Sequence, residues 1–218
     1  MTLVDAGRTV RSRRRTTRLR MDLLSSALMA AATVATAYSA YQSSLWNSEY
    51  ARHKSTSTTA TIKAAELSNL ALQRTGMHVS LFVQWLAAAR DGKGETADFL
   101  LARLPEPLGA VTREWWASNP LTNPQAAASP FELPGYRIRE REESVQWAET
   151  AERASDAAER ASATSNRYLL FTIVFASVLF FAGISGKFGL QAIDVAVLVL
   201  GLLTLLVGVT VMLASPRA

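Results

Sequence analysis

The sequence predicts an all-α membrane protein with three transmembrane helices, two of which continue as a long antiparallel helical stalk carrying a small helical tip. Three observations carry that prediction. Charge is absent from three long apolar runs, residues 23–48, 168–186 and 195–216. Glycine and proline are absent from two longer stretches, residues 21–75 and 136–182. Small residues recur along both stretches at the spacing of a helix seam.

The chain opens on a basic tail, residues 1–20, with seven arginines and one acid, Asp5. Residues 21–46 form the first expected transmembrane helix, since about 20 mainly apolar residues cross a bilayer. A basic start before an apolar run also describes a signal peptide. This run is longer than a signal core, and Thr16 and Thr17 follow the Arg13–Arg14 pair where apolar residues belong in a twin-arginine signal. The helix is therefore expected to be retained. Residues 47–167 form an extramembrane helical domain, residues 168–186 the second transmembrane helix and residues 190–214 the third.

Charge sets the expected orientation. The domain from Trp46 to Arg167 carries 14 basic and 15 acidic residues, whereas the tail is strongly basic and the link between the last two helices carries Lys187. Basic residues in short flanking segments mark the cytoplasmic side. The N-terminus and Lys187 are expected in the cytoplasm and the domain on the other side of the membrane. Contact with anionic lipid explains the arginines, and no nucleic-acid partner is expected.

Without glycine or proline to punctuate them, residues 21–75 and 136–182 each read as one helix, about 80 and 70 Å long at 1.5 Å per residue. Both exceed a ~30 Å hydrocarbon core and so should leave it as a stalk, residues 47–75 and 136–167. Along the second helix Trp147, Ala151, Ala154, Ala158, Ala161, Ser165 and Tyr168 alternate in steps of four and three, the coiled-coil period. The other face is charged, with Glu149–Arg153 and Asp156–Arg160 spaced for ion pairs. Along the first helix a matching stripe runs through Ser26, Ala30, Thr33, Ala37, Ala40, Ser44, Ser48, Ala51, Ser55, Thr58, Ile62, Ala65, Asn69 and Leu72. Its membrane part, with Thr33, Thr36, Ala40, Ser43 and Ser44, is a candidate helix-packing face, because small residues let helices approach in a bilayer. The same hydroxyls would suit a pore.

Residues 76–135 form the expected tip. It should begin with a separate amphipathic helix over 77–90, turn at 91–94, and continue with short helices over 96–104 and 111–118 and a proline-rich loop over 119–135. Phe82, Trp85, Phe99, Trp115, Trp116 and Phe131 suffice for a local aromatic core. Trp115 and Trp116 are also the candidate partner-binding residues, should that aromatic surface be exposed.

No catalytic constellation appears. Cysteine is absent, which removes disulfides and thiolate chemistry. The two histidines, His53 and His78, lie on different parts of the chain, and no nucleophile elbow, zinc helix or phosphate loop is present. The chain is expected to be no enzyme and to need no cofactor or metal. Asp194 is the intramembrane acid. Such a group is a functional candidate by default, but near a helix start it is stabilised by the helix dipole, with Lys187 as a possible ion-pair partner.

Three motifs occur together: TAYSAYQSSLW at residues 36–46, PLTNP continuing to SPFELPGY at residues 120–136, and YLLFTIVFASVLFFAGI at residues 168–184. In this order they resemble a family of uncharacterised small bacterial membrane proteins with three transmembrane helices. The resemblance runs from about Met21 to the C-terminus; Gly135 stands where the pattern would place an acid. It implies bacterial origin and the three-helix layout, and no reaction.

The residues thus point to a self-associating, non-enzymatic scaffold or partner-binding module, a homo-oligomer in the bilayer with a possible protein partner at the tip. An oligomeric channel lined by the first helix is the alternative, and an accessory subunit of a membrane enzyme or transporter the second.

Overall fold

The computed structural model describes residues 3–185, 187 and 191–217, with the side chains of residues 3–20 and 191 outside the description. The side chains of the arginine tail and most of the link around Lys187 therefore lie outside the description. Among the described residues five α-helices follow one another: α1 (Leu3–Arg90), α2 (Gly94–Leu101), α3 (Leu108–Ala117), α4 (Arg139–Ile184) and α5 (Gln191–Leu213). A 3₁₀ turn covers Pro130–Glu132, and no strand occurs among the described residues. The all-α class stands, and among the described residues three helices are long and apolar enough to cross a membrane.

The chain divides into two compact units. The first comprises residues 1–53 and 156–218, the second residues 54–155.

In the first unit α1, α4 and α5 close around an apolar interior. Leu28, Ala32 and Ala35 come from α1, Phe171, Phe175 and Val178 from α4, and Leu205 and Met212 from α5. Helix directions follow from the bonds. Ser25 of α1 donates to the carbonyl of Ala182 and Ser43 to that of Ser165, so α1 and α4 are antiparallel. Ser39 of α1 contacts Met212 of α5, while Leu28 lies beside Gly201, so those two are parallel. The α5 glycines permit close packing: a Cβ on Gly208 would sit 2.8 Å from the Phe175 ring. Outward faces carry Leu169, Leu170, Ile173, Phe180, Leu203 and Val207, all more than half exposed. So much exposed apolar surface fits hydrocarbon rather than water.

In the second unit α1 pairs with the start of α4 and the segment leading into it, again antiparallel, through Arg74 to Glu140 and His78 to Tyr136. Phe82, Trp85 and Ala88 of α1 then join Ala97 of α2, Leu104, and Leu108, Val111 and Trp115 of α3 in a second core. The expected turn after α1 is made at Gly92, whose φ of 72° favours glycine.

Three expectations are corrected. The break at Gly76 is absent, and α1 runs through it to Arg90. One glycine in a helix costs only about 1 kcal/mol relative to alanine, and Ala71 and His78, buried on either side of it, secure the helix. Phe99 is 56% exposed rather than part of the core, with the Arg103 guanidinium 3.8 Å above its ring. Arg153 turns to the backbone carbonyl of Glu149 and the Thr150 hydroxyl, not to a carboxylate.

The α4 seam is as read from Ala151 to Tyr168: Ala151, Ala154, Ala158, Ala161, Ser165 and Tyr168 are all buried. It continues through Phe171, Phe175, Val178 and Ala182. Trp147 departs from it at 40% exposure, because a seam of alanines brings helices too close to admit an indole.

Candidate functional sites

The buried stripe of α1 is not the stripe of small residues singled out above. In the membrane run it is Leu28, Ala32, Ala35, Ser39 and Gln42, two positions away. Two residues turn a helix by about 200°, so the two stripes occupy opposite faces. Thr33, Ala40 and Ser44 are exposed within the chain, while Thr36 and Ser43 are half-buried at its edge. Of these five candidates, Ser43 is the one bonded across to another helix. Thr33 and Thr36 donate instead to the carbonyls of Met29 and Ala32 in their own helix. Bonded in this way, a hydroxyl is satisfied without water and tolerates a lipid-facing position.

Hydrogen bonds that cross between segments of the first unit gather toward two ends, whereas hydroxyls between those ends, such as Thr33 and Thr36, bond within their own helix. At one end Ser43 and Ser165 form a reciprocal clasp. Each hydroxyl donates to the other's backbone carbonyl, at 3.1 and 2.9 Å, and the two oxygens lie 3.2 Å apart. At the same end Gln42 Nε2 donates to the Tyr38 hydroxyl, and the Tyr168 hydroxyl donates to the carbonyl of Pro216 just beyond α5. At the other end Ser25 donates to the carbonyl of Ala182, and the Ser185 hydroxyl donates to the carbonyl of Asp194. Ser25 and Ser43 stand 18 positions apart in α1, about 27 Å along the axis at 1.5 Å per residue. That separation matches a hydrocarbon core of about 30 Å.

Asp194 occupies the first turn of α5 and is buried. Lys187, its expected partner, is exposed. The position at a helix start favours the carboxylate whatever else it touches.

The aromatic candidates divide. Trp115 is buried, its Nε1 donates to the carbonyl of Ala127 at 2.7 Å, and its ring meets Phe82 edge to face at 5.4 Å between centroids. Trp116 is half-buried against Trp85. Trp115 is therefore a core residue and not an exposed partner contact, and Trp116 packs against that core.

One polar node was missed by sequence reasoning. His78 is 1% exposed, and its Nδ1 lies 3.0 Å from the Tyr136 hydroxyl. Burial, aided by the nearby charge of Arg74, lowers the His78 pKa below its ordinary value. Burial likewise raises that of Tyr136, against the opposing influences of Thr75 and Arg141. Beside them Arg74 bonds Glu140 at 2.9 Å. The spacing from Ala71 to His78 to Trp85 would have pointed to this buried face, since each step is two helical turns.

Two open apolar crevices flank the membrane helices. One, of about 410 Å³, is lined by Phe171, Val174, Leu203 and Val207; the other, of about 740 Å³, by Ala31, Val34, Tyr38, Val209 and Arg217. Among the described residues no cluster of His, Asp and Glu is placed to hold a metal ion. The fold and the two groups of crossing hydrogen bonds are compatible with the class of integral membrane proteins. No family model, curated protein or solved structure matches this chain.

Proposed function

We propose that this chain is a self-associating, non-enzymatic scaffold of the bacterial cytoplasmic membrane, presenting the helical unit of residues 54–155 outside the cytoplasm. One observation carries the reading: polar side chains where segments meet are bonded across from one segment to another. The Ser43–Ser165 clasp, the Ser25 and Tyr168 bonds and the His78–Tyr136 and Arg74–Glu140 pairs each tie one segment to another. An active site instead directs such groups into a pocket where substrate meets them. The arginine tail and Lys187 support the orientation.

The chain lacks cysteine, which makes the test direct. In intact cells a membrane-impermeant maleimide should label Phe99→Cys, and should reach Lys187→Cys only after permeabilisation. The reverse pattern would invert the topology. Purified chain in nanodiscs should have the mass of more than one copy; a strict monomer would end the scaffold reading.

The channel is the second reading, favoured by the exposure of Thr33, Ala40 and Ser44 in the membrane run. It requires oligomerisation, because the interior between the helices of one chain is filled by Phe171, Phe175, Val178 and Leu205. Conductance in planar bilayers that is blocked by Thr33→Trp would establish it. Silence across ions and voltages would remove it.

A further inference from the structure

Within the second unit, the face of α1 turned away from α4 carries large apolar side chains in a regular order. Ile62, Leu72, Val79 and Val83 are 56%, 60%, 42% and 56% exposed. With Ala65, Asn69 and Gly76, also exposed, they alternate in steps of three and four, the spacing of a coiled-coil seam. Ile62, Asn69, Gly76 and Val83 take one core position of the heptad; Ala65, Leu72 and Val79 take the other.

The rest of the surface makes this face unusual. Over residues 54–90 α1 has five charged residues in 37 positions, whereas the part of α4 in the same unit, residues 139–155, has eight in 17. The outward side of α4 is solvated in the ordinary way. The outward side of α1 is apolar in its centre and flanked by neutral polar residues such as Ser68, Gln73 and Ser80.

We propose that residues 62–83 of α1 form a parallel coiled-coil seam with the same segment of a second copy, with Asn69 fixing the register. This rests on the reading of the chain as a self-associating membrane scaffold and names the face that does it. Copies inserted in one membrane share one orientation, so identical segments stand at the same height. Asn69 then meets Asn69. An amide both donates and accepts, so that pair is self-complementary, and a single asparagine at such a position specifies register and oligomer state. Like charges do not oppose the pairing. Lys63 and Glu66 neutralise each other within the helix at 3.3 Å, and Arg74 is bonded to Glu140. At Gly76 an added Cβ would meet nothing within 4 Å, so the bare backbone leaves room for a close neighbour.

The experiment uses the full-length chain in nanodiscs and in native membranes, with single cysteines introduced into its cysteine-free background. Oxidation should link Leu72→Cys and Val79→Cys to a second copy several-fold faster than Gln84→Cys, off the seam, or Glu152→Cys, on α4. The pair Leu72→Asp and Val79→Asp should reduce the oligomer to monomer with helicity unchanged, both positions being exposed in the single chain. Equal linking at all four positions, or links only to a different protein, would overturn the seam. An oligomeric mass whose crosslinks peak elsewhere would reject this face and leave self-association standing. A monomer in nanodiscs would reject both.

Discussion

The His78–Tyr136 node gives the sharpest test of the second unit. Tyr136→Phe keeps the ring that meets His78 edge to face and deletes only the hydroxyl 3.0 Å from Nδ1. A polar group left buried without its partner costs about 1–3 kcal/mol, and His78 at 1% exposure cannot turn to water without moving α1. Replacing both partners, His78→Phe with Tyr136→Phe, should cost less than the two single changes together, because no orphaned polar atom remains. The pH dependence has a definite sign. The folded-state pKa of His78 lies below its unfolded value, so the unfolded chain binds the proton more readily. Stability from this group is complete above about pH 6.5 and is lost as pH falls toward the folded pKa, by at most about 1.4 kcal/mol per pH unit. Tyr136, with its pKa raised, acts oppositely: its contribution is full below about pH 10 and lost as pH rises through the folded value. The assay is urea unfolding of the full chain in nanodiscs, followed by tryptophan fluorescence, since Trp85 and Trp115 belong to the adjoining core. Tyr136→Phe indistinguishable from the parent chain, or an acid slope unchanged in His78→Phe, would refute the reasoning.

Three further outcomes follow from the packing. Gly208→Val should destabilise the membrane unit by about 1–3 kcal/mol through overpacking against Phe175, and Gly183→Ala should not, since nothing lies within 4 Å of its added Cβ; steric trapping in bilayers measures both. A double-mutant cycle on Ser43→Ala and Ser165→Ala should return a coupling of about 0.6–1.7 kcal/mol, the range of interhelical hydrogen bonds in membranes. Trp115→Ala should cost about 3–5 kcal/mol in urea unfolding, while exposed Phe99→Ala should stay within about 0.5 kcal/mol.

What the sequence made legible depended on contrast between helix faces. On α4 the seam from Ala151 to Tyr168 stood out because charged residues fill the opposite side: Glu152, Arg153, Glu159 and Arg160 exclude any other buried face. Over the membrane part of α1 that contrast is missing. Ala32, Ala35 and Ser39 on one side and Ala30, Thr33 and Ala40 on the other are equally small, so two stripes satisfy one period. Only the partner's surface distinguishes them: Phe171, Phe175 and Val178 need the face with Leu28. The partner of His78 escaped for a related reason, although the spacing from Ala71 to His78 to Trp85 marked a face. His78 and Tyr136 are 58 residues apart, and local spacing does not show which face of α1 the start of α4 will cover. The tip was partly readable because aromatics of this size must be buried somewhere, yet Phe99 shows that an aromatic on a short helix can remain outside and cover itself with an arginine.

The stripe read from the α1 sequence is nevertheless a real periodicity, and its exposure changes its meaning. A helix packed on one side within its own chain needs only that one apolar face. In the second unit α1 has two: Ala60, Leu67, Ala71, His78 and Trp85 turned inward, and Ile62, Leu72, Val79 and Val83 turned outward. The outward face is exposed in the single chain, and the proposed seam assigns it to association rather than to folding. The two faces should therefore separate in experiment. Ala60→Asp places a charge at a site 1% exposed and should unfold the second unit, whatever the assembly state. Leu72→Asp should leave that unit folded and affect only the proposed assembly. Were both changes to act alike, the inward and outward faces would not be independent, and the assignment of one to folding and the other to association would fail.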